Sequence, residues 1–139
     1  MYILSYELGF LRKGKVKMPL VRTGSVDFGL SAQIEEIGPD LLVIVTGGPL
    51  PHIGAVAAAT PRKSLADPAK TSASTSVFCY VGHKEDEIAR FLAQNLAARL
   101  KRKVLVTAGM HWENLTPEGI SQVEAQTGEL LTAILNSLT

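Results

Sequence analysis

Apolar and polar positions divide the chain into a run of short blocks with period two, followed by two long blocks with helical period. From Ser31 to Ile37 the two kinds of residue alternate roughly as in a half-buried strand, Gly38-Pro39-Asp40 is a strong turn signal, and Leu41 to Thr46 reads as a second strand. The pair predicts a β-hairpin. Val43, Ile44 and Val45 are β-branched and run straight into Gly47-Gly48, so this strand ends where the backbone needs freedom in φ. Pro49 and Pro51 stiffen the loop that carries His52, and Ile53 to Ala59 predicts the next strand. Its Gly54 and its alanines leave room for another backbone or a flat ligand. Ser74 to Val81, rich in Thr, Val, Phe and Tyr, predicts one more. Upstream, Tyr2 to Phe10 predicts a strand and Arg12 to Lys17 a basic turn around Gly14. Val16, Met18, Leu20 and Val21 follow as an edge strand restricted by Pro19. Arg62 to Ala73 is small, polar and without periodicity, with Pro68 inside it, and predicts a mobile loop.

The helical blocks come late. Ile88, Leu92, Leu96 and Leu100 form one stripe with Ala89, Ala93 and Ala97 beside it, while Glu85, Glu87, Arg90, Gln94 and Arg99 mostly face away. Acidic residues open this helix and basic ones close it, as the macrodipole favours. Lys103 to Thr107 predicts a strand directly after it. Thr116-Pro117-Glu118 is a helix opening, with a Thr cap and Pro at the first helical position. Ile120, Val123, Thr127, Leu130, Leu131, Ile134 and Leu138 then mark one face of a C-terminal helix, with Gly128 as its weak point. The predicted class is α+β: a mainly antiparallel sheet with two long helices packed on it, as one domain over residues 1–139.

Composition narrows the function. At 139 residues and 46% hydrophobic content the chain can bury a real core. A net charge of +1 argues against nucleic acid or an anionic membrane as the main partner, and no apolar run approaches the length of a membrane span. The single cysteine, Cys79, lies in a strand pattern and suits a sheet face better than nucleophilic chemistry. A cytoplasmic location is expected.

Candidate chemistry gathers at predicted strand ends. Gly47 and Gly48 could offer amides to a phosphate, although neither a P-loop nor a dinucleotide-binding spacing is present. His52 could hold phosphate, flavin or metal, or simply satisfy a loop end. His83 and His111 each follow a glycine at a strand end; with His52 and Glu113 they could converge on a divalent metal ion, yet no metal-binding spacing supports this. Trp112, the sole tryptophan, could stack on a flat ring or anchor an interface. Arg62 and Lys63 could contact a phosphate or lie solvated. No serine-histidine-acid or paired-carboxylate arrangement points to a hydrolase.

The segments GGPLPHIGAVAAATP and STSVFCYVGHKEDEIARFLAQNLAARLKRKVLVTAGMHWENLT, with the C-terminal helix, resemble the bacterial prenylated-flavin chaperone family. Its members are small accessory proteins that accompany UbiD-type hydroxyarylic-acid decarboxylases. That family is similar in fold to proteasome assembly chaperones. The resemblance spans roughly residues 30 to 138. It implies a non-catalytic or weakly catalytic accessory protein and a homodimer that binds prenylated FMN, or FMN, and works with a flavin prenyltransferase and a UbiD-type decarboxylase. The cofactor would then contact Gly47, Gly48, His52, Lys63 and Trp112. The proteasome-chaperone likeness keeps a second expectation open: an assembly chaperone acting through protein contacts without a cofactor.

Overall fold

The computed structural model describes residues 19–80 and 85–138. The expected strand at Tyr2 to Phe10, the basic turn at Arg12 to Lys17, Val16 and Met18 of the edge strand, and His83 lie outside the described residues.

The described residues form β1 (Leu20–Arg22), β2 (Leu30–Ile37), β3 (Asp40–Gly47), β4 (Ala55–Lys63), β5 (Thr71–Cys79), α1 (Asp86–Leu100), β6 (Val104–Met110) and α2 (Pro117–Ser137). The six strands make one sheet in the order β1-β2-β3-β6-β4-β5. The β2–β3 hairpin has the expected turn, with Gly38 at φ 56° where a side chain would be strained. Pro19 immediately precedes β1, and its carbonyl accepts from Ile34 N–H at 2.9 Å. Proline keeps that acceptor while lacking a donor, so this edge position suits it.

The expectation of a mainly antiparallel sheet holds, with one exception at its centre. β6 inserts between β3 and β4, pairing parallel to β3 and antiparallel to β4. The sheet is therefore mixed. α1 carries the chain from edge strand β5 over one face to this central position. Helical crossovers of this kind are what parallel neighbours require.

The expectation of a mobile loop from Arg62 to Ala73 is overturned. β4 and β5 pair through Pro61↔Ala73, Arg62↔Ser72 and Lys63↔Thr71, so only residues 64–70 form the connection. Ser64 N–H donates to Lys70 O and Lys70 N–H to Asp67 O, both at 2.9 Å, and Ala69 N–H donates to Asp67 Oδ1. Pro61 is tolerated because the β4–β6 ladder stops at Ala59, leaving β4 flanked there by β5 alone.

Both helices pack on one face of the sheet, α1 over β4, β5 and β6, and α2 over β1 and β2. The core lies between the layers. Ile34, Val43, Val45 and Val106 from the sheet meet Leu92, Leu96, Leu130 and Ile134 from the helices, all fully buried. Ala55, Ala57, Ala89, Ala93 and Ala97 are equally buried, so small residues on both layers let α1 lie close to β4. The Thr116 side chain caps α2 by accepting from Gly119 N–H at 3.1 Å. Ile120 departs from the expected core face: it is 48% exposed and faces a cleft at the end of the sheet.

Candidate functional site

β3 and β4 flank β6, so the connection between them, residues 48–54, has to pass over the C-terminal end of β6. Glycine makes that crossing physically allowed. A Cβ on Gly109 would be built into the carbonyl of His52, and one on Gly48, at φ 72°, into the carbonyl of His111. A Cβ on Gly47 would fall 2.7 Å from Leu30 Cδ2 and 2.9 Å from Trp112 Cη2. The Gly47-Gly48 pair thus serves close approach by the segment after β6, and His111 N–H donates to Gly47 O at 3.2 Å.

This crossing places His52 against Glu85, the residue that caps α1. His52 Nε2 lies 2.9 Å from Glu85 Oε1, and His52 Nδ1 lies 2.9 Å from Leu50 O. Both ring nitrogens thus lie at hydrogen-bond distance from oxygen atoms. Met110 N–H also donates to Glu85 Oε1, at 3.2 Å. Glu85 is only 6% exposed, and Gly54 provides the space, since a Cβ there would meet its carboxyl group. Helical periodicity places Glu85 on the solvent face, but it precedes the first helical residue and turns inward. The signal available for it was an acidic residue at a helix opening, which reads equally well as a macrodipole partner.

Trp112 is held on three sides. Its Nε1–H donates to Asp27 O at 2.8 Å, its ring packs tilted against Phe28 at a centroid distance of 5.7 Å, and its far edge rests on Gly47. Beside it, a cleft of about 370 Å³ opens between the N-terminal ends of α1 and α2 and the end of β6. Ile88, Met110, Trp112, Leu115, Ile120 and Val123 make its apolar lining, and Glu85, Glu87, Glu124 and His111 contribute polar groups. The size falls within the roughly 300–1,000 Å³ common for small-molecule sites.

The residues singled out in the sequence are thus partly gathered. Gly47, Gly48, His52 and Trp112 meet around the end of β6. Lys63 does not join them, because it closes β4 at the opposite end, eight residues beyond Ala55 and roughly 26 Å away along an extended strand. Arg62 is likewise distant; its Nε–H donates to Ser74 Oγ at 2.8 Å.

The expected metal constellation of His52, His83, His111 and Glu113 does not assemble among the described residues. No group of three His, Cys, Asp or Glu side chains converges there as ligands would. His52 has both ring nitrogens on oxygen acceptors, and His111 Nε2 lies 3.2 Å from Glu113 Oε1 in a separate, exposed pair. His83 lies outside the described residues.

Comparison with known proteins places this geometry in context. A family model described as a prenylated flavin chaperone LpdD-like domain matches residues 24–139. Protein LpdD of Lactiplantibacillus plantarum is 29% identical over 121 residues, which cover 87% of this chain and 85% of that protein. A chain from the crystal structure of a chaperone complex for yeast 20S proteasome assembly superposes with a TM-score of 0.56. It is 16% identical, covering 88% of this chain and 94% of that one, a likeness of fold.

Proposed function

The chain belongs to the prenylated flavin chaperone LpdD-like family, and from that premise we propose that it binds prenylated FMN and passes it to a UbiD-type decarboxylase. The family supports a chaperone role in that decarboxylase system and a flavin as its cargo. The alternative of assembly through protein contacts alone has less behind it, because the matched family is defined around a flavin.

The observation that carries the cofactor reading is the cleft beside Trp112. Its six apolar side chains suit a flat ring system and an added prenyl group, which gain by leaving water. The fit is to the ring end. Glu85, Glu87 and Glu124 would repel a phosphate, and among the described lining residues there is no lysine or arginine. In this reading Trp112 and Ile88 hold the ring, His52 holds Glu85 in place, and the phosphate projects out of the cleft. Lys63 takes no part. The cofactor's own chemistry is exercised in the decarboxylase, and the chaperone contributes an apolar shelter from water. Its partners are the flavin prenyltransferase that supplies the cofactor, the decarboxylase that receives it, and a second copy of this chain.

The test is anaerobic mixing with freshly made prenylated FMN, desalting and absorbance spectroscopy. Wild type should retain flavin and Ile120→Glu, which puts a fourth carboxylate into the cleft, should lose it. A wild-type spectrum free of flavin would overturn the reading, and retention by Ile120→Glu would move the site elsewhere.

A further inference from the structure

Three connections meet at the end of the sheet where the cleft opens: residues 23–29, 48–54 and 111–116. Trp112 joins the third to the first through Asp27 O, His111 N–H joins it to Gly47 O beside the second, and Ser25 N–H donates to Gln126 Oε1 of α2 at 3.3 Å. Each connection turns apolar side chains to solvent. Val26 is 97% exposed, Leu50 56% and Ile53 59%, while Leu115 and Ile120 stand at the cleft itself. Connections are ordinarily polar, so a ring of apolar side chains around a cleft marks a surface that meets another molecule. The charges at this end have one sign. Asp27, Glu113, Glu118 and Glu124 are exposed, and residues 23–29, 48–54 and 111–124 contain no lysine or arginine. Arg62, Lys63, Lys70, Lys101, Arg102 and Lys103 lie at the opposite end of the sheet, around the β4–β5 connection and the turn from α1 into β6. A net charge of +1 thus conceals a molecule with an acidic, apolar end and a basic one.

We propose that the acidic, apolar end is the surface on which the cofactor-free decarboxylase docks, with the cleft mouth enclosed in the contact. The identity of this partner rests on the proposed cofactor reading; the surface itself does not. The phosphate points to the occupant. The cleft suits the ring and its lining offers no lysine or arginine, so an enzyme that takes the cofactor over has to bring its own cations for the phosphate. Before loading, those cations are unmatched. Glu113, Glu118 and Glu124 around the mouth are their electrostatic complement, and Val26, Leu50, Ile53, Leu115 and Ile120 supply the apolar contact inside that charged rim. The basic end would repel the same cations, so the separation of charge along the molecule also turns the cleft toward the partner during approach. Once the phosphate reaches the cations it neutralises them, and the attraction between the two proteins weakens. Docking therefore favours the empty enzyme over the loaded one, which gives the transfer a direction.

The test is titration calorimetry of the purified, cofactor-free UbiD-type decarboxylase against wild type, Val26→Lys, Leu50→Lys, Glu118→Lys and Lys63→Glu. All four substitutions fall on exposed side chains outside the cleft lining, and far-ultraviolet dichroism checks that each variant is folded. Wild type should bind, and its affinity should fall about tenfold between about 50 and 300 mM salt. Val26→Lys, Leu50→Lys and Glu118→Lys should each weaken binding by about tenfold or more, whereas Lys63→Glu, at the basic end, should bind as wild type does. The decarboxylase loaded with prenylated FMN should bind several times more weakly than the empty enzyme. Absence of a wild-type complex, or wild-type affinity in folded Val26→Lys and Glu118→Lys, would overturn the docking surface. Equal affinity for the loaded and the empty enzyme would overturn the pairing with its phosphate-binding cations. Flavin retention by the chaperone alone is read separately: a chaperone that retains flavin but does not dock removes this inference only, and one that docks but retains no flavin removes the cofactor reading only.

Discussion

His52 Nε2 and Glu85 Oε1 lie 2.9 Å apart, and this pair fastens the crossing between β3 and β4 to the opening of α1. The same carboxyl oxygen accepts Met110 N–H at the end of β6. One carboxylate thus joins a loop, a helix and a strand at the wall of the cleft.

Removal of that carboxylate should cost more than removal of the imidazole. Glu85→Ala removes the acceptor of the Met110 N–H and the partner of the His52 ring at the buried end of the pair, a loss of about 2–3 kcal/mol. Glu85→Gln retains an acceptor oxygen for Met110 and should lose about half as much. Urea denaturation with an unchanged slope, read at the midpoint, gives the comparison; equal midpoints for Glu85→Ala and wild type would show that the pair contributes nothing.

Glycine substitutions should separate sharply by position. Gly109→Ala and Gly48→Ala each drive a methyl group into a backbone carbonyl, of His52 and of His111, so loss of more than about 3 kcal/mol is expected. Gly128→Ala meets nothing within 4 Å inside α2 and should stabilise by about 0.5–1 kcal/mol. Thermal melts of the three variants in one buffer check the ordering.

Arg102 should resist conservative replacement. Its Nε–H donates to Pro39 O at 2.8 Å, one terminal nitrogen to Glu36 Oε1 at 3.0 Å and the other to Asp40 O at 3.1 Å. The planar fork thereby ties the end of α1 to the β2–β3 turn. Arg102→Lys can satisfy only part of this set and should recover less than half of the roughly 2 kcal/mol lost in Arg102→Ala, as judged from chemical denaturation.

Trp112, the sole tryptophan, reports directly on the cleft that it lines. Flavin binding there should quench its emission with a saturable curve, and Phe28→Ala, which removes the tilted ring contact, should alter the emission of the free protein. Quenching that follows flavin concentration linearly, without saturation, would show that no ring binds beside it.

Much of the fold was legible because its signals are local. The Gly38-Pro39-Asp40 turn, the Thr116 cap with Pro117, and the alternation from Ser31 to Ile37 each lie within a few residues that make the contacts themselves. The Arg62 to Ala73 stretch misled because its small polar residues signal a loop, whereas pairing with a neighbouring strand supplies the order that propensity lacks. Glu85 misled for the opposite reason: its identity suggests solvent, whereas Gly54, His52 and Met110, distant in sequence, help to make its burial tolerable.

By itself the sequence determined the class, the positions of most elements and the glycine-rich turn at His52, since each depends on periodicity and turn chemistry carried by neighbouring residues. Tertiary structure alone decided that β6 enters between β3 and β4. That single insertion makes the sheet mixed and forces residues 48–54 across the end of β6, while the continuation of β4 to Lys63 separates that lysine from His52 by the length of a strand. The reason is physical: strand order and side-chain convergence depend on pairings between segments dozens of residues apart, and no local pattern specifies which partner a strand takes.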